Sequence, residues 1–173
     1  SAADASHVQL ARGRVYLARA ERTLDRRSAQ RAQEVLEQAL AGNARRSEGL
    51  ALYGRALYLM GDPRAAERLL REAVTTSPID PEAFEYLADA CERLGHTADA
   101  RDALINLDAL EGDTATAAAR GARARRIGAL ALQANDPKRA ADYLDQSVDA
   151  GDTDASTLGL LAEAYWRSGN KDD

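Results

Sequence analysis

Under a single shift, residues 47–80 of this chain lie over residues 81–114 without a gap. The shift brings Leu50 over Phe84, Tyr53 over Leu87, Gly54 over Ala88, Gly61 over Gly95, Ala66 over Ala100 and Leu70 over Leu104. Backward, Ala32, Leu36 and Ala39 come into register. Forward, positions 115–120 must be skipped before another unit fits at 121–154, and a half unit follows at 155–173. With a first unit at 13–46, the whole of 1–173 reads as one stacked array. A period of this length restricts a chain to architectures in which one small unit packs on copies of itself.

Each unit carries the same two-helix plan. A first helix has apolar residues at i, i+3 and i+7, as in Leu50, Tyr53 and Leu57. It stops at a residue that tolerates positive φ, the slot filled by Gly61, Gly95, Asn135 and Gly169. A second helix begins at once, and Asp62-Pro63 and Asp136-Pro137 supply an N-cap acceptor followed by proline at the first helical position. Asp80-Pro81 opens the next unit in the same way. Small residues recur where paired helices must approach closely: Gly54, Ala88, Gly128 and Ala162 on first helices, Ala32, Ala66, Ala100 and Ala140 on second ones. The insertion at 115–120 has no Pro or Gly, so it is expected to extend the following helix backward to about Thr114 or Ala115.

This pattern resembles the tetratricopeptide repeat (TPR) family, whose unit is an antiparallel helix pair of about 34 residues. The resemblance runs from about residue 13 to 173. It rests on Leu50-Tyr53-Gly54, Phe84-Leu87-Ala88 and Leu158-Leu161-Ala162 in first helices, on Ala66-Leu70-Ala73 in a second helix, and on Pro78 near a unit's end. Arg19 and Ala124 depart from the pattern in the first and fourth units. The resemblance implies an all-α, right-handed superhelical solenoid of antiparallel helix pairs. The chain ends where a further second helix is expected, which reads as a fragment of a longer solenoid or an end capped by something else.

In this family the second, fifth, ninth and twelfth positions of each unit line a concave groove. The resemblance therefore implies Arg55, Tyr58, Glu82, Glu85, Asp89, Glu92, Arg125, Leu132 and Trp166 as candidate partner-binding residues. The centre is acidic, and basic and aromatic residues flank it. Such a groove suits an extended segment or helix with basic residues in its middle and apolar anchors at its ends. A plainer alternative is that Glu85 and Asp89 pair with Arg55 and Arg125 on neighbouring helices, each pair adding roughly 0–1 kcal/mol of ordinary surface electrostatics. The expected function is a scaffold that binds a protein or peptide segment for assembly of a multiprotein complex. The competing reading is a structural, oligomerising or regulatory spacer within a larger envelope or enzyme protein, with homo-oligomers forming through open solenoid ends. A clamp for a chaperone's C-terminal carboxylate is not expected, because Leu17, Glu21 and Leu52 stand at positions where that clamp needs Lys and Asn.

Charge and composition narrow the classes further. A net charge of −5 disfavours nucleic acid, whose phosphates need clustered Lys and Arg. The local cluster Arg120, Arg123, Arg125 and Arg126 reads as a helix face partly answered by acids of the preceding unit. No apolar run approaches the roughly 20 residues of a membrane span, and no signal peptide is visible, so the compartment, bacterial cytoplasm or periplasm, stays open. Arginine in place of lysine, with abundant alanine, suggests a GC-rich bacterial source. No cofactor, metal or catalytic site is expected. Cys91 takes a core position equivalent to Leu57, His7 and His96 lack nucleophilic partners, no phosphate-cradling glycine motif occurs, and the acids of 82–92 lack the loop geometry of a cation site.

Overall fold

The computed structural model describes residues 2–41 and 46–169. The end of the first unit at 42–45 and the end of the half unit at 170–173 lie outside the described residues. Among the described residues there are nine α-helices, one 3₁₀ turn and no strand: α1 (Ala2–Thr23), α2 (Arg26–Ala41), α3 (Arg46–Leu59), α4 (Pro63–Ala73), α5 (Glu82–Leu94), α6 (Thr97–Glu111), α7 (Ala117–Gln133), α8 (Pro137–Asp149) and α9 (Ala155–Ser168).

The turns form as their chemistry dictates. At the end of α3 the Asp62 N–H donates to the Leu57 carbonyl and the Gly61 N–H to that of Tyr58, a reversal that places Gly61 at φ 89°. Asp62 then accepts the Ala65 N–H at 3.0 Å and Pro63 opens α4. The α7–α8 turn repeats this bond for bond. Asp136 N–H reaches Ala131, Asn135 N–H reaches Leu132, Asn135 takes φ 59°, and Asp136 caps the Arg139 N–H at 3.3 Å. One short turn thus ends a helix and starts the next, which forces α3–α4 and α7–α8 to be antiparallel.

Two details differ from expectation. Helix α1 begins at Ala2, well before residue 13, and buries Leu10 in the core. Its turn into α2 uses Leu24 at φ 51° in place of glycine, with Asp25 accepting the Arg27 N–H and the Ser28 hydroxyl. The inserted segment extends α7 backward only to Ala117. Gly112–Thr114 form the 3₁₀ turn, and Thr116 caps the helix by accepting the Ala119 N–H at 3.2 Å. Threonine is a better cap than a helix interior residue, and it set the boundary.

The chain falls into two compact units, Ser1–Leu94 and Gly95–Asp173. In the first, α1 pairs with α2 and α3 with α4, while α3 also contacts α1 and α5. Helices α2 and α4 do not approach one another. Three helices drawn together on one side and two standing apart on the other make the α1–α3–α5 side the inner one. In the second unit α7 packs on α6, α8 and α9.

The pairs α1–α2, α3–α4 and α7–α8 are each joined by a leucine seam. Leu36, Leu70 and Leu144 are fully buried, and a Cβ added at Gly54 or Gly128 would lie 2.6 Å from Leu70 Cγ or 2.5 Å from Leu144 Cγ. A serine locks the open end of two pairs. Ser47 Oγ donates to the Ala73 carbonyl and Ser147 Oγ to that of Gly121, each at 2.9 Å, the same two repeat positions with the roles exchanged. Leu70→Ala is expected to cost about 2–5 kcal/mol in chemical denaturation, whereas Arg64→Ala on the surface should stay within about 0.5 kcal/mol. Equal effects would place the seam elsewhere.

Candidate functional site

The repeat puts the same position of successive first helices side by side, and in the first unit these positions carry charge. Two ladders result. At the ninth position Arg55 of α3 stands between Glu21 of α1 and Asp89 of α5, its Nε donating to Glu21 at 2.7 Å and its Nη1 to Asp89 at 2.6 Å. At the second position Arg14 of α1 donates to Glu48 of α3 at 3.0 Å and to Glu82 of α5 at 3.2 Å, with Asp80 at 3.9 Å.

Arg55 is the more enclosed of the two arginines. Its guanidinium lies 5.2 Å from the Tyr58 ring centre and 4.9 Å from that of Tyr86, so the planar cation meets the π-electrons of two rings. Tyr86 in turn donates its hydroxyl to Glu82 at 3.2 Å, tying the two ladders together. Burial, and after it the charge of Glu82, holds the Tyr86 phenol well above its ordinary titration range. Tyr86 escaped the sequence reading because it stands at the sixth position of its unit, outside the expected groove set. Its one signal was its place a helical turn after Glu82.

The remaining candidates divide. Glu85 and Glu92 are exposed on α5, on the same helix face as Glu82 and Asp89. Asp89 pairs with Arg55, as the plainer alternative held for that residue. In the second unit Arg125 pairs with Asp152 at 3.5 Å and Asp154 at 3.9 Å. Its neighbour Arg123 is answered by Asp108 at 3.1 Å and by Glu111. Trp166 is 69% exposed on α9. Leu132, by contrast, is 5% exposed and packs with Ala131, Ala140, Leu144 and Ala164, so it contributes to the core and offers no groove surface. Leu17 and Ala51, at the fifth position of the first two units, are likewise buried. Cys91 is fully buried, in keeping with a core role.

At the second position Arg14 lies against three carboxylates, those of Glu48, Asp80 and Glu82. Glu48 and Asp80 are 12% and 15% exposed at the side chain, Arg14 43%. Asp80 is fixed from behind: its N–H donates to Ser47 Oγ at 3.1 Å and its Oδ1 accepts the Glu82 N–H at 3.1 Å. Burial pushes the Asp80 carboxyl above its usual range, the Glu82 N–H and Arg14 pull it back, and Glu82 and Glu48 push it further up.

The ladders make distinct demands on their members. Arg55→Lys keeps the charge but loses the planar fork and its stacking, so it should lower stability by about 1 kcal/mol, and Arg55→Ala by about 2–3 kcal/mol, in urea titration. A carboxyl with a raised folded-state titration destabilises the fold as pH climbs from its unfolded value through the folded one. Asp80→Asn, which keeps an oxygen for the Glu82 N–H, should therefore melt at or above wild type at pH 7. The difference should vanish at about pH 3, where both are uncharged. A lower melting temperature at pH 7 would contradict the assignment.

Among curated proteins none matches this sequence. The model of the family described as tetratricopeptide repeat matches residues 54–114 and 125–173. Among solved structures, a MamA protein superposes with a TM-score of 0.74 at 16% identity, covering 98% of this chain and 85% of that one. The pilF protein of Pseudomonas aeruginosa gives 0.69 at 17% identity, over 96% of this chain and 70% of that one. YrrB, described as a TPR protein with an unusual peptide-binding site, gives 0.70 at 13% identity, over 91% and 78%. At these identities the likeness is one of fold. None of the helices described is long and apolar enough to cross a membrane. With the repeat visible in the sequence, the paired helices in the structure and the family model covering more than half of the residues, this chain belongs to the tetratricopeptide-repeat family.

Proposed function

We propose that this chain is a protein-interaction scaffold that holds a polypeptide segment rich in basic residues along the inner α1–α3–α5 face and so helps assemble a multiprotein complex. One observation carries this reading. That face carries the acids Glu21, Glu48, Asp80, Glu82, Glu85, Asp89 and Glu92 beside Arg14 and Arg55. A surface this dense in carboxylates attracts and orients a basic partner. The pairing also serves the partner, since Arg55, Tyr58 and Tyr86 fix each other and present a rigid surface. The family commonly works through such contacts and not through chemistry, and YrrB is described as having a peptide-binding site. No catalytic role is proposed.

Capture of partners on immobilised full chain, identified by mass spectrometry and compared with Glu85→Lys/Glu92→Lys, tests the reading. Both residues are exposed, so the fold should survive. Recovery of the specific partner should drop about tenfold or more and should weaken with salt. Recovery equal to wild type removes this face from the function.

A second reading draws on the exposed Trp166, since Trp dominates protein interfaces. It makes α9 a contact for self-association or for a neighbouring segment. Sedimentation across a concentration range, with Trp166→Ala alongside, separates the two, because a chain monomeric throughout has no self-association for Trp166 to mediate.

A further inference from the structure

One side of each later first helix receives the second helix of the unit before it: α2 lies on α3, α4 on α5, α6 on α7 and α8 on α9. The third and tenth positions of the unit belong to that side. On α3 they are Gly49 and Ala56, on α5 Ala83 and Ala90, on α9 Thr157 and Ala164, all buried. Ala56 clusters with Ala32, Leu36 and Ala39 of α2, and a Cβ added at Gly49 would come 2.9 Å from Leu40 of the same helix. Helix α1 contacts α2 and α3 and no other element among the described residues, so its corresponding side lies open. There the third and tenth positions are Val15 and Arg22, both exposed. Val8, Ala11, Val15 and Ala18, spaced three and four residues apart, form an apolar stripe, with Val8 53% and Val15 68% exposed. Arg12 and Arg19 follow the two valines by one helical turn along one edge, and Arg22 closes the stripe. We propose that this side of α1 is a docking surface for one amphipathic helix of a partner protein, its apolar stripe bordered by aspartate or glutamate. The surface is opposite in sign to the inner face, since Arg14 and Glu21 leave α1 roughly 100–120° round the helix from Val15. It does not rest on the reading of that face, and it gives the scaffold a second partner to hold.

The chain itself shows what an arginine on this side requires. At the third position of α7 stands Arg123, and the helix that covers it, α6, answers with Asp108 at 3.1 Å and with Glu111. A helix covering α1 meets Arg12, Arg19 and Arg22 and needs carboxylates at its edges in the same way. Acids of α1 and its turn do not change that sign. Asp4 stands at the far end of the stripe, and Asp25, which lies near enough to Arg19 to feel its charge, is held by the Ser28 hydroxyl and the Arg27 N–H. Other occupants fit less well. A helix shaped like α2 would meet the branched Val15 and the Arg22 guanidinium where α2 itself meets Gly49 and Ala56. The α1 of a second copy, laid antiparallel, would set Arg12 and Arg19 against arginines of its own kind. Nucleic acid would answer the arginines and leave both valines in water. An acidic amphipathic helix covers the apolar stripe and the cations together.

The test uses the full chain with valine methyl groups labelled for NMR. It is titrated with a designed helical peptide of about 20 residues, leucine on its apolar stripe and glutamate along both edges. A second peptide carries lysine in place of each glutamate. The Val8 and Val15 methyl resonances should shift saturably with the glutamate peptide and little with the lysine one. Arg12→Glu/Arg19→Glu alters two exposed positions, so the fold should survive, as circular dichroism checks. It should weaken the glutamate peptide about tenfold or more and bring on a response to the lysine peptide. Arg12→Gln/Arg19→Gln, which removes the charges without reversing them, should weaken the glutamate peptide by a smaller factor. Equal response to the two peptides, unmoved Val8 and Val15 resonances, or unaltered affinity in the folded variants would each overturn the docking surface. Movement of those resonances with chain concentration alone would overturn it too, by giving this side of α1 to a second copy. So would a response to duplex DNA as strong as that to the glutamate peptide.

Discussion

The leucine seam between paired helices is the contact that the other features of the structure presuppose. Helices as short as most of those here are marginal on their own in water. They persist because Leu70 and Leu144 each fill the notch left by a glycine on the facing helix, at a distance no larger residue would permit. That close approach sets the spacing of α3–α4 and of α7–α8. With the spacing set, the Schellman-type turns at Gly61 and Asn135 and the proline-led helices after them can repeat without adjustment. Only when first helices are brought side by side in this way do residues one repeat apart in sequence become neighbours across the inner face.

That adjacency creates an electrostatic problem peculiar to repeats. A sequence that repeated faithfully would set identical charges next to each other on successive helices, and like charges at such spacing repel. The ninth position avoids this by alternating Glu21, Arg55 and Asp89, and two tyrosine rings take up the π-facing surface of the cation. The second position starts the same way, Arg14 then Glu48, but its next member is Glu82, another acid. Arg14 therefore meets acids on both of the first helices that follow it, with Asp80 beside them.

Much of the fold was legible because local chemistry and period agreed. Gly61 and Asn135, the Asp-Pro helix starts, and the small residues opposite Leu70 and Leu144 each point to the same hairpin, and the structure has it. Where the signals were weaker, the reading slipped. Nothing in the first unit marks α1 as reaching back to Ala2, since Leu24 holds the left-handed turn that glycine holds elsewhere. Thr116 competed as a cap against the plain helical preference of its neighbours and won. The inner face was legible by position but not by burial. Leu132 belongs by number to the groove, yet it is buried in a cluster with Leu144 and Ala164, a contact between helices that a one-dimensional period does not encode. Tyr86 was hidden for the same reason, its ring reaching sideways to Arg55 from a position the family pattern does not assign to the groove.

Asp80 shows how one side chain can serve both the turn and the inner face. Its carboxyl is largely withdrawn from water, and burial pushes its titration up while the Glu82 N–H and Arg14 pull it back. The same carboxylate serves the fold, since its Oδ1 accepts the Glu82 N–H at the start of α5 while its own N–H donates to Ser47 Oγ. The connection into α5 is thus tied to α3 through Ser47 and to α1 through Arg14, so the charges of the inner face are set out by the same bonds that close the repeat.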